Sequence, residues 1–265
     1  MVEIVNNYVP PPPKGPVVLP DPNEPFDINF RYPVRELESD RLKLVPFVPS
    51  VHGQTFFKRL QSHPEIYEYL PWNPSNTVRD FEEHFETKVR SDPTWFVFAV
   101  LDKSKIVPGQ ADPPRALIAV ESSHALAGTI GYLRAAPELA SVEIGYVIVL
   151  PAYQRTFVST HAIGLVLQYA LEQPKHGGLG LRRVQWQAHA DNAVSIRAAQ
   201  RMGLKLEGVL RWDRIVSIDK VNAIRAREDD VLPLPGRHTA MLAMCWDDWE
   251  SGGREHVQKM MERTS

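Results

Sequence analysis

Between Ser141 and Gly203 the chain alternates between a two-residue and a helical hydrophobic period, and that alternation constrains the fold more than any other stretch. Residues 141–150 (Ser-Val-Glu-Ile-Gly-Tyr-Val-Ile-Val-Leu) read as a buried strand. A helix opening at Ser159 or Thr160 then carries Ala162, Leu165, Val166, Tyr169 and Ala170 as one buried stripe, and it stops at Pro174 and Gly177-Gly178. Residues 182–189 form the next strand. Asp191 or Asn192 caps a second helix with Ile196, Ala199 and Met202 inward, and Gly203 closes it where a left-handed residue is wanted. Strand 204–216 follows directly. Such a run must pack its helices onto a sheet, which predicts an α+β domain.

The flanking segments supply more strands. Arg41 to Phe47 alternates as an opening strand, and residues 95–101, 116–121, 127–134 and 238–246 read as further ones. Two helices are expected at 51–62 and from Thr77 to about Arg90, the second with Phe81, Phe85 and Val89 at four-residue steps. The segments 103–114 and 217–235, rich in proline or charge, are surface connections. Nine of the 23 prolines lie in the first 33 residues, so residues 1–40 are expected as an extended arm that helices cannot occupy. Val17, Val18, Leu19, Phe26 and Phe30 are interleaved there, which favours partial wrapping over the domain.

Composition excludes several classes. With 30 basic against 32 acidic residues the chain lacks the charge excess of a phosphate-backbone binder, so no nucleic-acid partner is expected. A single cysteine, Cys245, excludes an internal disulfide framework and a multi-cysteine zinc site, and no metal is assigned. Neither a long apolar span nor a leader-like N-terminus is present, so the expectation is a soluble cytoplasmic protein without membrane contact.

The chemically informative segment joins the strand ending at Leu150 to the following helix. Pro151-Ala-Tyr-Gln-Arg-Thr-Phe-Val-Ser-Thr160 feeds backbone N–H groups into a helix N-terminus, a natural anion site. Gln154, Arg155, Thr156, Ser159 and Thr160 add side-chain donors. Taken alone, the segment reads first as a well-capped turn with a surface arginine, and only its company along the chain favours the anion site.

In order along residues 41–250, Arg41-Leu-Lys-Leu, Pro64-Glu-Ile-Tyr-Glu-Tyr-Leu70, Gly128-Thr-Ile-Gly131, Val142-Glu-Ile-Gly-Tyr146, Asp191 through Gly203 and Leu206-Glu-Gly-Val-Leu-Arg211 resemble the GNAT acetyltransferase superfamily. The branch they are most similar to is the RimJ/RimL type, which acetylates ribosomal-protein N-termini. The resemblance implies a GNAT-like α+β fold, a mixed, mostly antiparallel sheet of about seven strands flanked by four helices. It divides the chain into the arm at 1–40, the acetyltransferase-like domain at 41–250 and a C-terminal helical tail at 251–265. It also implies that acetyl-CoA is the cosubstrate and that the acetyl group passes to a primary amine by direct attack in a ternary complex. Small molecules, polyamines and protein N-termini all remain open as the acceptor.

Roles follow from the same resemblance. The pyrophosphate loop would be Gln154, Arg155, Thr156, Phe157, Val158, Ser159 and Thr160. It departs from the usual pattern, because Phe157 and Ser159 stand where small residues let the backbone approach the diphosphate. The Gln-Arg-Thr sequence resembles a subgroup in which hydroxyls and an arginine replace the glycines, and Phe157 must then point away from the ligand. Backbone groups of Ile148 and Val149 would align the pantetheine arm, with Asn192 beside it. Ser195 would donate to the leaving thiolate, and Glu143 would act as base. Plain structural readings stand beside these: Asn192 as an N-cap, Ser195 as a first-turn residue, and Glu143 as a solvent-facing residue or the partner of an arginine. His161, His189 and Cys245 read as structural, Tyr146 and Trp186 as core or tunnel wall, and Glu228-Asp229-Asp230 as a solvated loop. Phe157 favours the alternative of a non-catalytic acyl-CoA-binding or structural protein on the same scaffold. A homodimer through the last strands or by arm exchange is compatible with the sequence.

Overall fold

The computed structural model describes residues 5, 9, 15–106 and 124–263. The strand expected at 116–121, the later part of the 103–114 connection and the Pro10–Pro13 run lie outside the described residues. One sheet of eight strands organises the chain, in the order β1-β2-β3-β4-β5-β6-β8-β7. The strands are β1 (Leu37–Glu38), β2 (Leu42–Pro46), β3 (Phe96–Ile106), β4 (His124–Ala136), β5 (Ser141–Val149), β6 (Arg183–His189), β7 (Lys205–Ile215) and β8 (Gly236–Cys245). Every neighbouring pair is antiparallel except β5 and β6. The strand that sequence periodicity did not reveal is β1, whose two residues are too few to show an alternation. Lys103–Ile106, expected in a surface connection, instead continue β3.

Local chemistry sets the helices. The capping box of α2 (Val78–Phe85) pairs the Asp80 N–H with Thr77 Oγ1 at 3.1 Å and the Thr77 N–H with Asp80 Oδ2 at 2.9 Å. Its Phe81 and Phe85 meet Phe47 and, from α1 (Gln54–Gln61), Phe56 in an aromatic cluster with ring separations of 5.1–6.1 Å. The helix α3 (Phe157–Leu171) starts before Ser159 because Thr156 takes the cap position, its Oγ1 accepting from the Val158 N–H. Apolar almost all round, it is buried between the sheet and α6 (Arg254–Met261). There Met261 packs against Gly164, where a Cβ would come 2.3 Å from the Met261 sulfur. The short helix α5 (Trp246–Asp248) leads into that C-terminal helix.

On the same face as α3 lies α4 (Ala193–Arg201), capped by Asn192 and ended by Gly203 at φ +95°. The helices α1 and α2 and residues 64–73 cover the opposite face. From the N-terminal segment, Phe26 and Phe30 pack against the core while Val18 stays exposed. Tyr169 ties that segment down by donating to the Pro33 carbonyl at 2.7 Å.

Close strand approach depends on Gly128 in β4, where a Cβ would sit 2.2 Å from the Ile148 carbonyl oxygen of β5. Backbone cannot yield as a flexible side chain can. Gly128→Ala is therefore expected to lose about 1–3 kcal/mol of stability, read as a lower urea midpoint at unchanged m-value.

Candidate active site

The parallel ladder between β5 and β6 runs only from Ser141 opposite Arg183 to Ile144 opposite Trp186. Beyond it β5 stays with β4 to Val149 and β6 stays with β8 to His189, so a gap opens between them. The divergence has an identifiable cause. Pairing with β4 slips between Gly131 opposite Gly145 and Thr129 opposite Ile148, and Tyr146 bulges out with φ +53°. A left-handed tyrosine is strained, and two contacts hold it: Thr129 Oγ1 donates to the Tyr146 carbonyl at 2.9 Å, and the Tyr146 ring stacks on Trp72 at 4.8 Å.

Pairing also fixes which backbone groups face the gap. The Leu150 N–H donates to the Ala127 carbonyl at 2.9 Å, and Ile148, opposite Thr129, turns its carbonyl toward Gly128. Residues 148 and 150 thus serve β4, while Val147 and Val149 point their N–H and C=O groups the other way. Of the two residues nominated from sequence, Val149 faces the gap and Ile148 does not. Val147 was missed because an unbroken apolar run conceals its phase until the pairing is known.

Just past this strand, the loop is pre-shaped. Gln154 Nε2 donates to the Val149 carbonyl at 3.1 Å, and Thr156 Oγ1 donates to the Tyr153 carbonyl at 2.6 Å. Arg155 takes a left-handed backbone, φ +60°, so the chain turns sharply into the N-terminus of α3 without a glycine. Its side chain is exposed. Val158 is fully buried, Ser159 and Thr160 are half-buried in the first turn, and the first-turn amides lack intrahelical partners. The Phe157 ring is engaged elsewhere: the Arg41 guanidinium lies 3.7 Å above it and His161 meets its edge. Lys105 sits 4.2 Å over the Tyr153 ring. Arg41, Lys105 and Arg155 therefore surround the loop with positive charge, the first two in positions that sequence reading did not single out.

At the apex of the gap, Trp186 Nε1 donates to Ser195 Oγ at 3.0 Å. With one lone pair occupied by the indole, the hydroxyl is left to donate its own proton. Asn192 Oδ1 accepts from the Ser195 N–H at 3.0 Å, so the same residue caps the helix and sets the serine in place.

Glu143 lies on the other face, 3% exposed. Burial pushes its carboxyl up to about 6 against the pull of Arg134, Arg214 and Arg237. Arg134 Nε is 3.6 Å away, and Glu143 Oε2 has no hydrogen-bond partner among the described residues. A cover closes over this face. Lys220 donates to the carbonyls of Tyr67 and Trp72, each at 2.7 Å, Asn222 donates to Glu68 at 2.9 Å, and Asn73 donates to Ser217 at 3.1 Å. The connection after β7 is thereby stitched to residues 64–73. His189 supports it: Nδ1 accepts from the Asp191 N–H, so Nε2 carries the proton given to the Asn222 carbonyl. Burial holds that imidazole below its usual range. Cys245 pairs with Arg183 at the opposite end of β6 and β8 from the gap, and burial raises its thiol. Glu228, Asp229 and Asp230 stay on the surface, with Asp229 paired to Arg227.

A parted strand pair, an amide-rich loop ringed by cations and a hydroxyl at the apex suit an extended acyl thioester carrying phosphates, which defines a coenzyme A-dependent acyl transferase. A family model described as the acetyltransferase (GNAT) domain matches residues 41–205. The chain belongs to the GNAT acetyltransferase family, whose members move an acyl group from acyl-CoA to an amine, with acetyl-CoA as cosubstrate. Solved structures share the fold at low identity. A GNAT-family acetyltransferase from Chromobacterium violaceum is 22% identical with a TM-score of 0.64, covering 90% of this chain and 99% of its own. Spermidine N-acetyltransferase from Vibrio cholerae, in complex with CoA and spermine, is 13% identical with a TM-score of 0.55, over 80% and 99%. RimJ of Mycobacterium smegmatis, in complex with CoA-disulfide, is 13% identical with a TM-score of 0.57, over 82% and 88%. Comparison with curated protein sequences finds no match. No helix among the described residues is long and apolar enough to cross a membrane.

The raised carboxyl of Glu143 carries a sign that can be checked. A group near 6 in the fold and near 4.5 outside it binds its proton more tightly when folded. Its ionisation therefore lowers stability as pH rises from about 4.5 through 6, and the loss persists above. Glu143→Gln is expected to be more stable than wild type by about 2 kcal/mol at pH 8 and equal to it near pH 4, measured by denaturant unfolding.

Proposed function

We propose that the chain is an N-acetyltransferase that binds acetyl-CoA in the gap between β5 and β6 and acetylates a primary amine held over Glu143. The observation that carries this reading is the parting of the two strands beside a cation-ringed helix N-terminus. The diphosphate lies on the loop from Gln154 to Thr160, against the first-turn amides and the Arg155 side chain, with Arg41 and Lys105 adding charge. Phe157, turned to Arg41, leaves the backbone side of the loop open, which favours a working site over the non-catalytic alternative. Val149 and Val147 offer their backbone groups to the pantetheine arm, Ile148 keeps them in register, and Asn192 stands alongside.

The chemistry needs little more than placement. The amine nitrogen attacks the thioester carbonyl, a backbone N–H at the strand end stabilises the oxyanion, and Glu143 takes the proton the nitrogen loses, directly or through water. The carbon–sulfur bond then breaks and the electron pair leaves on sulfur. Ser195, with one lone pair taken by the Trp186 N–H and its own proton free to give, donates a hydrogen bond to that thiolate, which takes up a proton to leave as CoA. The Gln-Arg-Thr loop supports a place near the RimJ/RimL branch, and the single cysteine and near-neutral charge suit a cytoplasmic protein.

Two measurements test the assignments. Calorimetry with acetyl-CoA is expected to show a roughly five- to tenfold weaker Kd for Arg155→Ala, as for loss of one exposed charged contact. Ser195→Ala is expected to lower kcat about 10- to 100-fold at unchanged acetyl-CoA affinity. An Arg155 variant that binds like wild type removes the loop from the site, and undiminished turnover in the serine variant removes Ser195 from catalysis.

A further inference from the structure

The face that carries Glu143 also carries more positive charge than it neutralises. Arg214 of β7 and Arg237 of β8 are direct cross-strand partners, so their side chains leave the same face side by side. Like charges opposite one another on a sheet are destabilising. Arg237 is 5% exposed, yet its guanidinium meets only neutral acceptors: Nε donates to Thr239 Oγ1 and Nη1 to the Tyr69 carbonyl, both at a long 3.3 Å. Among the described residues no ion pair includes Arg237, and Asp213 and Glu143 act on it only at longer range.

Arg214 donates through Nη2 to Gln187 and lies 3.4 Å from Asp213. Even so, Arg214 Nε and Asp213 Oδ2 are both buried without a hydrogen bond. Arg134, 44% exposed at its side chain, already faces Glu143. Three guanidinium groups thus stand against two carboxylates, one of them Glu143. A buried cation with no anionic partner is costly unless a ligand completes it. Burial and the neighbouring arginine already push Arg237 down to about 10.

We infer that Arg237, with Arg214 beside it, holds an anionic group of the acceptor, so the substrate is a primary amine that also bears a carboxylate. This rests on the reading that the amine is held over Glu143. The chemistry is consistent on both counts. A carboxylate fits the planar guanidinium donors and offsets the like-charge pair. The same positive field disfavours an ammonium and favours the neutral amine that must attack. A polyamine, whose remaining ammonium groups would face the arginines, is disfavoured. The carboxylate can belong to a free amino acid or to an acidic side chain near a peptide N-terminus, two sources with one chemistry.

The test uses matched acceptors that differ only in charge: glycine, β-alanine and 6-aminohexanoate against their amides, Ser-Glu-Ala amide against Ser-Gln-Ala amide, and spermidine. Thioester consumption is followed for each, and each is titrated by calorimetry into the CoA-loaded protein. In at least one pair the acid is expected to lead its amide roughly tenfold in kcat/KM and in Kd, and the pair in which this occurs identifies the source. Arg237→Gln is expected to bring that ratio within about twofold while acetyl-CoA affinity is kept, and Arg237→Lys to restore part of it. Should Arg237→Gln fail to fold, Arg214→Gln is read in the same comparison. The inference is overturned if no acid leads its amide, if spermidine outpaces every acid, or if the arginine variants keep the preference. Acids that bind in an Arg237-dependent way without thioester consumption would uphold it and defeat the acetyl-transfer reading instead.

Discussion

The bulge at Tyr146 is the constraint from which the gap between β5 and β6, the proposed site, follows. A parallel ladder that continued past Ile144 and Trp186 would satisfy every backbone group on both strands and leave a closed sheet with no room for a ligand. One extra residue in β5, fixed by the Thr129 hydroxyl and the Trp72 ring, turns that strand toward β4 and separates it from β6. The strain of a left-handed tyrosine is held in place by ordinary contacts, and unpaired backbone donors and acceptors are its product. Gly128 lets β4 come close enough to keep the bulged strand attached, since a side chain there would meet the Ile148 carbonyl oxygen, while Gly131 allows the same close approach on the β3 side, at the Phe96 carbonyl.

The two sides of the site are built on different physical terms. The side proposed for the cofactor is backbone and helix terminus, with cations held over the rings of Tyr153 and Phe157. A substituted loop can therefore retain the electrostatics of a glycine-rich one, because the aromatic ring that fills the glycine position also seats an arginine at the rim. The side proposed for the acceptor is side chains, with Glu143 among arginines under a cover of polar contacts. Burial there works in two directions: it raises the carboxylate toward neutrality and it depresses the guanidinium of Arg237, both moving charge out of a dry face.

Much of this was legible in the sequence for a definite reason. The run from Ser141 to Gly203 writes its periods clearly, and Asn192 and Gly203 sit at the helix ends that capping chemistry predicts. Sheet order could not be read, because pairing partners such as Arg183 and Cys245 lie far apart along the chain. Nor could the phase of an all-apolar strand, so Val147 was overlooked. Arg41, Trp186 and Lys220 gain their meaning only from what they touch. The loop helix begins at Phe157 instead of Ser159 because a threonine competes for the cap, and sequence offers three hydroxyl residues in that stretch without ranking them.

The Lys220 clamp has an architectural consequence. A single ammonium joins carbonyls from residues 67 and 72 to a connection that begins after β7, so the cover over the Glu143 face is assembled from segments far apart in the chain. The portion that matches the family ends at residue 205 and includes the whole loop from Gln154 to Thr160 but only one half of that cover. In the proposed site, cofactor recognition and acceptor choice thereby fall on separate stretches of chain. On that reading, exchanging the segment after β7 would alter what is acetylated, provided that its replacement still delivers a cation to the same pair of carbonyls.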